Sequence, residues 1–208
     1  MDPKALFSLS YGLYYIGTYG AKSNACVANT AIQVTSAPAK IAVTLNKANL
    51  TTDVIGYTGL FTVSVLDADA VLDDIARFGF KSGIDTDKFD GFSDWKTFGQ
   101  VPYITKNTNA AFLVKMESSL DVGTHRIFVG TVEEAVRLSA VPSLTYADYH
   151  AKKNGVTPPR APGFVAETAG AGKVRYRCKV CGYIHEGELP DSFECPVCHQ
   201  PASSFERI

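Results

Sequence analysis

Four of the five cysteines in this 208-residue chain fall between positions 178 and 198. Cys178 and Cys181 stand three apart, as do Cys195 and Cys198, with Gly182-Tyr183 after the first pair and Pro196 inside the second. In a CxxC turn both sulfurs face one ion while backbone N–H groups bond to them, and two facing turns complete a tetrahedral S4 site. A tight quartet of this kind points to a metal rather than to disulfides. Zinc and a single iron both accept four thiolates in this geometry, and spacing does not separate them. His185 and His199 lie among the cysteines, but four thiolates fill the coordination sphere, so both are expected to face solvent. The fifth thiol, Cys26, sits between Ala25 and Val27 and reads as a small buried residue rather than a redox group.

A second group of residues carries a different chemistry. Asn24, Asn29, Thr30, Asn46, Asn49, Thr51 and Thr52, with Lys22 and Lys47, crowd the segment 18–55. Together they offer many hydrogen-bond donors next to strands, which suits a cofactor with a phosphate tail and a polar ring edge. Turns between strands use the same residue types with no ligand at all. Trp95, Phe89, Phe92 and Phe98 can stack on a planar ring, and they can equally close a core or a dimer contact.

The elements that must position these groups are mostly strands. Apolar runs at 41–46, 60–66, 110–116 and 126–132 are rich in Val, Ile, Phe and Thr and are bounded by Gly, Asn, Asp or Pro. The spacing of Val71, Leu72, Ile75 and Phe78 predicts a helix over 71–78. A second short helix is expected from Thr51–Asp53, where Thr and Asp can cap it. There is no β-α-β alternation, so the fold class is mainly β with a few helices (α+β), a barrel or sandwich with inserted helices. The sequence divides into a folded unit at 1–155, a Pro/Gly/Ala-rich linker at 156–172 and a small module at 173–208. A chain of 36 residues seldom folds without a metal, a disulfide or a partner, and here the cysteines supply the metal.

Composition narrows the function classes. Twenty basic against 21 acidic residues leave a net charge of −1, which provides no field to gather nucleic acid or an anionic membrane. Residues 5–21 carry no charge but are too short to span a bilayer and are interrupted by Ser, Gly and Tyr. A cytoplasmic location with reduced thiols is the expectation.

The segment YRCKVCGYIHEGELPDSFECPVC resembles rubredoxin, with Tyr176 two residues before the first cysteine and Phe205 in the place of a closing aromatic. The 13-residue gap between Cys181 and Cys195 is similar to the short rubredoxin module of rubrerythrins. His199 stands where that pattern has Gly, so it must adopt a tight backbone. The resemblance implies iron at Cys178, Cys181, Cys195 and Cys198, with zinc as the alternative. KSNACVANTAIQVTSAPAKIAVTLNKANLT, FGFKSGIDTDKF, DVGTHRIFVG, LTYADYH and TPPRAP resemble, in order, the flavin reductase-like family of FMN-binding split barrels. That resemblance implies a homodimeric split β-barrel holding FMN. Asn24, Ala25, Cys26, Asn29 and Thr30 would line the ring and ribityl chain, with Asn46, Lys47, Asn49 and Thr51 on the phosphate side. Lys81 and Ser82 fall where the family often has Arg-Ser, and His125 takes the place of the family's motif histidine, with Thr124 for Asp. The fusion of the two segments resembles the high-molecular-weight rubredoxins. It implies an NAD(P)H-dependent oxidoreductase that passes electrons through FMN and iron to an external acceptor, such as a flavodiiron-type oxygen or nitric oxide reductase. The alternative is a flavin reductase that supplies reduced FMN to a partner monooxygenase and carries a structural zinc ribbon.

Overall fold

The structure is a computed structural model and describes residues 3–153 and 174–208; the linker 156–172 lies outside the described residues. After a 3-10 turn at Pro3–Ser8, the chain forms β1 (Tyr14–Tyr19), β2 (Ser23–Ala28), β3 (Ala31–Ser36) and β4 (Ala39–Asn46). Helix α1 (Leu50–Thr58) leads to β5 (Leu60–Leu66), and α2 (Leu72–Gly79) to β6 (Trp95–Phe98) and β7 (Val101–Ile104). The long strands β8 (Thr108–Asp121) and β9 (His125–Arg137) precede α3 (Tyr146–Lys153). Beyond the linker come β10 (Arg175–Cys178), β11 (Ile184–Glu186) and β12 (Phe205–Arg207).

Seven strands form one antiparallel sheet in the order β2-β1-β5-β8-β9-β4-β3. The sheet curls around a core in which Ile16, Cys26, Ala31, Val43, Phe61, Val114 and Phe128, drawn from all seven strands, pack in one cluster. In β4 the alternation is plain, with Ile41, Val43 and Leu45 inward and their neighbours half-buried. In β5 both faces are covered. Its outward Thr62 and Ser64 are buried under the β6–β7 hairpin, where Thr62 Oγ1 donates to Pro102 O at 2.5 Å and Ser64 Oγ accepts from Ile104 N at 3.0 Å. Gly17 on neighbouring β1 makes this approach possible, since any Cβ there would collide with Pro102 O.

The expected strands at 41–46, 60–66, 110–116 and 126–132 fall within β4, β5, β8 and β9. Both helices are present, with different starts. Asn49 is the N-cap residue of α1, while Thr51 and Thr52 point into the protein. Val71 precedes α2 in extended backbone and is exposed, so Ile75, Ala76 and Phe78 alone form its buried face. Phe78 meets Tyr15, Phe89 and Phe92 edge-on, and Phe89 meets Trp95. Phe98 stacks on Tyr103, so these aromatics pack against one another.

The chain separates into two compact units, Tyr11–Tyr146 and a second made of Met1–Ser10 with Ala147–Ile208. Nearly all of α3 therefore belongs with the cysteine-bearing segment. There β10 is the middle strand of a small sheet, between β11 and β12. Among the described residues, no helix is long and apolar enough to cross a membrane.

Candidate functional site

The metal centre is built from two copies of one backbone turn. In the first, Cys178 N donates to Tyr183 O at 2.9 Å and Gly182 N to Cys178 O at 2.9 Å. In the second, Cys195 N donates to Gln200 O at 2.8 Å and His199 N to Cys195 O at 2.9 Å. Gly182 and His199 are thus equivalent positions, and both have positive φ, 78° and 57°. The backbone N–H groups of Cys181, Tyr183 and Cys198 are aimed at the sulfurs of Cys178, Cys181 and Cys195.

The four Sγ atoms lie within 4.8 Å of one another, with Cys178–Cys198 at 3.6 Å and Cys181–Cys195 at 3.5 Å. A tetrahedron with metal–sulfur bonds of about 2.3 Å has edges of about 3.8 Å, so the quartet fits one ion. Hydrogen bonds from Cys181, Cys195 and Cys198 hold the Cys178 thiol far below its ordinary range, which favours the first thiolate. The histidines are turned elsewhere: His185 Nε2 pairs with Glu188 O and its ring packs on Phe193, while His199 Nδ1 meets Glu194 Oε1. Phe205 is buried and closes on Phe193 at 5.4 Å.

In the barrel unit, β2 and the start of α1 bring several of the polar residues into one buried relay. Asn24 Nδ2 donates to Thr51 Oγ1 at 2.8 Å, and Thr51 and Asn49 in turn donate to the Cys26 sulfur. Burial pushes the Cys26 thiol up, while the charge of Lys88 and those two hydrogen bonds pull it back. Lys88, itself buried, clamps Ala25 O and Phe78 O at 2.9 Å each. Gly83 leans on this cluster, since a Cβ there would strike Asn24 Oδ1.

The remaining residues occupy the neighbouring turns. Asn46 pairs with His125 in the β4–β9 register, and Asn46 Oδ1 accepts from Ala48 N. Asn46 O takes both Asn49 N and Thr52 Oγ1, tying β4 to α1. Lys47 N donates to Thr124 O, and its ammonium faces Asp121 at 2.7 Å. His125 is buried, with Nδ1 held 2.8 Å from Thr124 Oγ1. Thr30 Oγ1 donates to Asn29 Oδ1, leaving the buried Asn29 Nδ2 as a donor with no partner among the described residues. The structure thus joins Asn24, Ala25, Cys26, Asn49 and Thr51, and it sets Asn46, Lys47 and His125 beside them through the β4–α1 turn. Lys81 and Ser82 are exposed, and Ser82 Oγ accepts from Ile84 N in its own loop.

Sequence reading missed two buried lysines. Lys88 lies seven residues beyond Lys81, and nothing in its neighbourhood marks it as the interior one. Lys153 ends α3 with Nζ on Cys181 O at 2.8 Å.

Residues 6–155 match the flavin reductase like domain, and residues 176–206 match the rubredoxin-like domain of rubrerythrin. The "High molecular weight rubredoxin" of Moorella thermoacetica is 38% identical over 229 aligned positions, covering all of both chains. This chain belongs to the high molecular weight rubredoxin family. The "Ferric-chelate reductase (NAD(P)H)" of Archaeoglobus fulgidus is 42% identical over 161 positions, covering 76% of this chain and 94% of that protein. The barrel shares its fold with the NADH:FAD oxidoreductase SgcE6 of Streptomyces globisporus C-1027, at a TM-score of 0.62 and 22% identity over 68% of this chain and 84% of the other. The family is one of electron-transfer oxidoreductases, and its two domains call for FMN and iron as cofactors.

Proposed function

We propose that the chain is an electron-transfer flavo-rubredoxin, carrying electrons from NAD(P)H through FMN to an Fe(Cys)4 centre. The onward acceptor is a separate redox protein, such as a flavodiiron-type oxygen or nitric oxide reductase. The domains are 1–155 and 173–208 with a linker at 156–172, and the working form is a cytoplasmic homodimer. The observation that carries this reading is the full-length match, in which one chain holds both a flavin reductase like segment and a cysteine quartet gathered around a point.

When bound, FMN takes electrons in a pair and releases them singly, which is what a one-electron iron needs. The chain's own residues do the holding. Asn29 offers its unpartnered amide to a polar ring edge, with Thr30 and the backbone of Asn24, Ala25 and Cys26 along the ring and chain. Asn49 makes no side-chain cap bond, so the first-turn amides of α1 suit a phosphate beside Asn46, Lys47 and Thr51. A phosphate at Lys47 competes with Asp121 for the ammonium. Lys81 and Ser82 serve the phosphate or the dimer contact. His125, held by Thr124, is the residue this reading assigns to the reaction near flavin or nicotinamide.

The test uses protein from iron-supplied cells, mixed anaerobically with NADH or NADPH. The visible iron–thiolate absorbance is expected to bleach quickly with FMN and hardly at all without it. A colourless protein with one zinc per chain, or bleaching at one rate with and without FMN, would overturn the reading.

A further inference from the structure

The unit that holds the cysteines also buries a lysine that the electron path does not use. Lys153, the last residue of α3, is 1% exposed. Its Nζ donates to Cys181 O at 2.8 Å and sits 4.8 Å from the centroid of the Tyr149 ring, which is buried as well. An ammonium enclosed in this way is costly unless charge or hydrogen bonds compensate it. Residue 153 falls in the segment that matches the flavin reductase like domain, yet it belongs to the compact unit of the cysteines and lies outside the rubredoxin-like match.

Four thiolates around ferric iron leave a net charge of −1, and around ferrous iron −2. Reduction adds one electron to the iron with no bond made or broken, so a fixed cation at the knuckle favours the reduced form. We propose that Lys153 is the counter-charge of the Fe(Cys)4 centre, a positioning residue that raises its reduction potential and tightens its hold on metal. This rests on the iron reading proposed above. A rubredoxin-like segment alone lacks this charge, so the sequence before the linker sets the potential at which the iron accepts its electron.

The experiment compares iron-loaded full-length wild type, K153Q and K153R by spectroelectrochemical titration of the iron–thiolate bands. K153Q keeps a donor for Cys181 O and loses the charge, whereas K153R keeps the charge. Under the proposal the reduction equilibrium of K153Q falls about tenfold, about 59 mV for one electron, and K153R stays close to wild type. A K153Q potential within about twofold of wild type, about 18 mV, overturns it. Where K153Q retains too little iron to titrate, chelator competition on the zinc-loaded proteins decides. Weaker binding by K153Q than by K153R supports the counter-charge, and equal affinities overturn it. Wild-type protein that takes up zinc and no iron removes the electron-transfer reading itself, whereas iron with unshifted potentials removes only the role of Lys153.

Discussion

Replacing Thr51 with Val removes a hydroxyl that is used twice. Thr51 Oγ1 accepts from Asn24 Nδ2 and donates to the Cys26 sulfur, and all three residues are less than 5% exposed. Valine fills nearly the same volume, so little cavity cost is added and the loss is one of hydrogen bonding. An amide donor stranded in the interior costs about 1–3 kcal/mol. For a unit the size of residues 11–146 that lowers Tm by about 3–10 °C. Trp95 is the only tryptophan and lies in this unit, so its fluorescence in a urea titration of flavin-free protein reports the barrel alone. The double variant N24A/T51V should be less destabilised than the sum of its singles, by about 1 kcal/mol. Additive effects, or a T51V loss below about 0.5 kcal/mol, would refute the relay.

Further outcomes are expected in the cysteine-bearing unit. C178A should lose its metal and the amide protection of residues 174–208, while the Trp95 unfolding midpoint stays at the wild-type value, as measured by hydrogen exchange and urea titration. H199G removes a non-glycine residue from positive φ and gives up the exposed contact with Glu194, so about 1 kcal/mol is gained and zinc affinity in chelator competition rises about fivefold. Burial, and then the charge of Lys153, pulls His150 from 6.5 down to about 4. The unfolded chain therefore binds the proton first, and stability present above about pH 6.5 is lost as pH falls toward 4, by about 1 kcal/mol after solvent screening. H150Q should flatten this slope in thermal unfolding of the zinc-loaded protein, and parallel curves would count against it.

The metal centre was the most legible feature because both halves of each ligand pair sit in one turn, where spacing and geometry are nearly the same thing. Strands β4 and β5 were legible for a similar reason, with period-two alternation or a bounded apolar run. Thr51 shows where local reasoning stops. A threonine near a helix start can cap it or turn inward, and what decides is Asn24, 27 residues away. Lys153 was further out of reach, since its partner Cys181 lies across the linker and the local sequence Ala-Lys-Lys reads as a solvated helix end. His199 is the instructive middle case. Its tight backbone was expected because the rubredoxin pattern has Gly at that place, and its φ of 57° bears this out.

The register of the seven-stranded sheet also dictates an order of assembly. The β3–β4 hairpin is complete by residue 46, but β4 pairs only with β3 and with β9, whose partners begin at His125. That closure spans a loop of about 80 residues, and its entropy must be met before the pairing returns anything. Until Arg137 is available, Ile41, Val43 and Leu45 have no barrel to close against, so they form the surface a chaperone or a neighbouring chain meets first. The cysteine segment faces no such wait. Its four ligands span 21 residues, and it folds when it meets a metal ion, so the chain matures on two clocks, one set by topology and the other by metal supply.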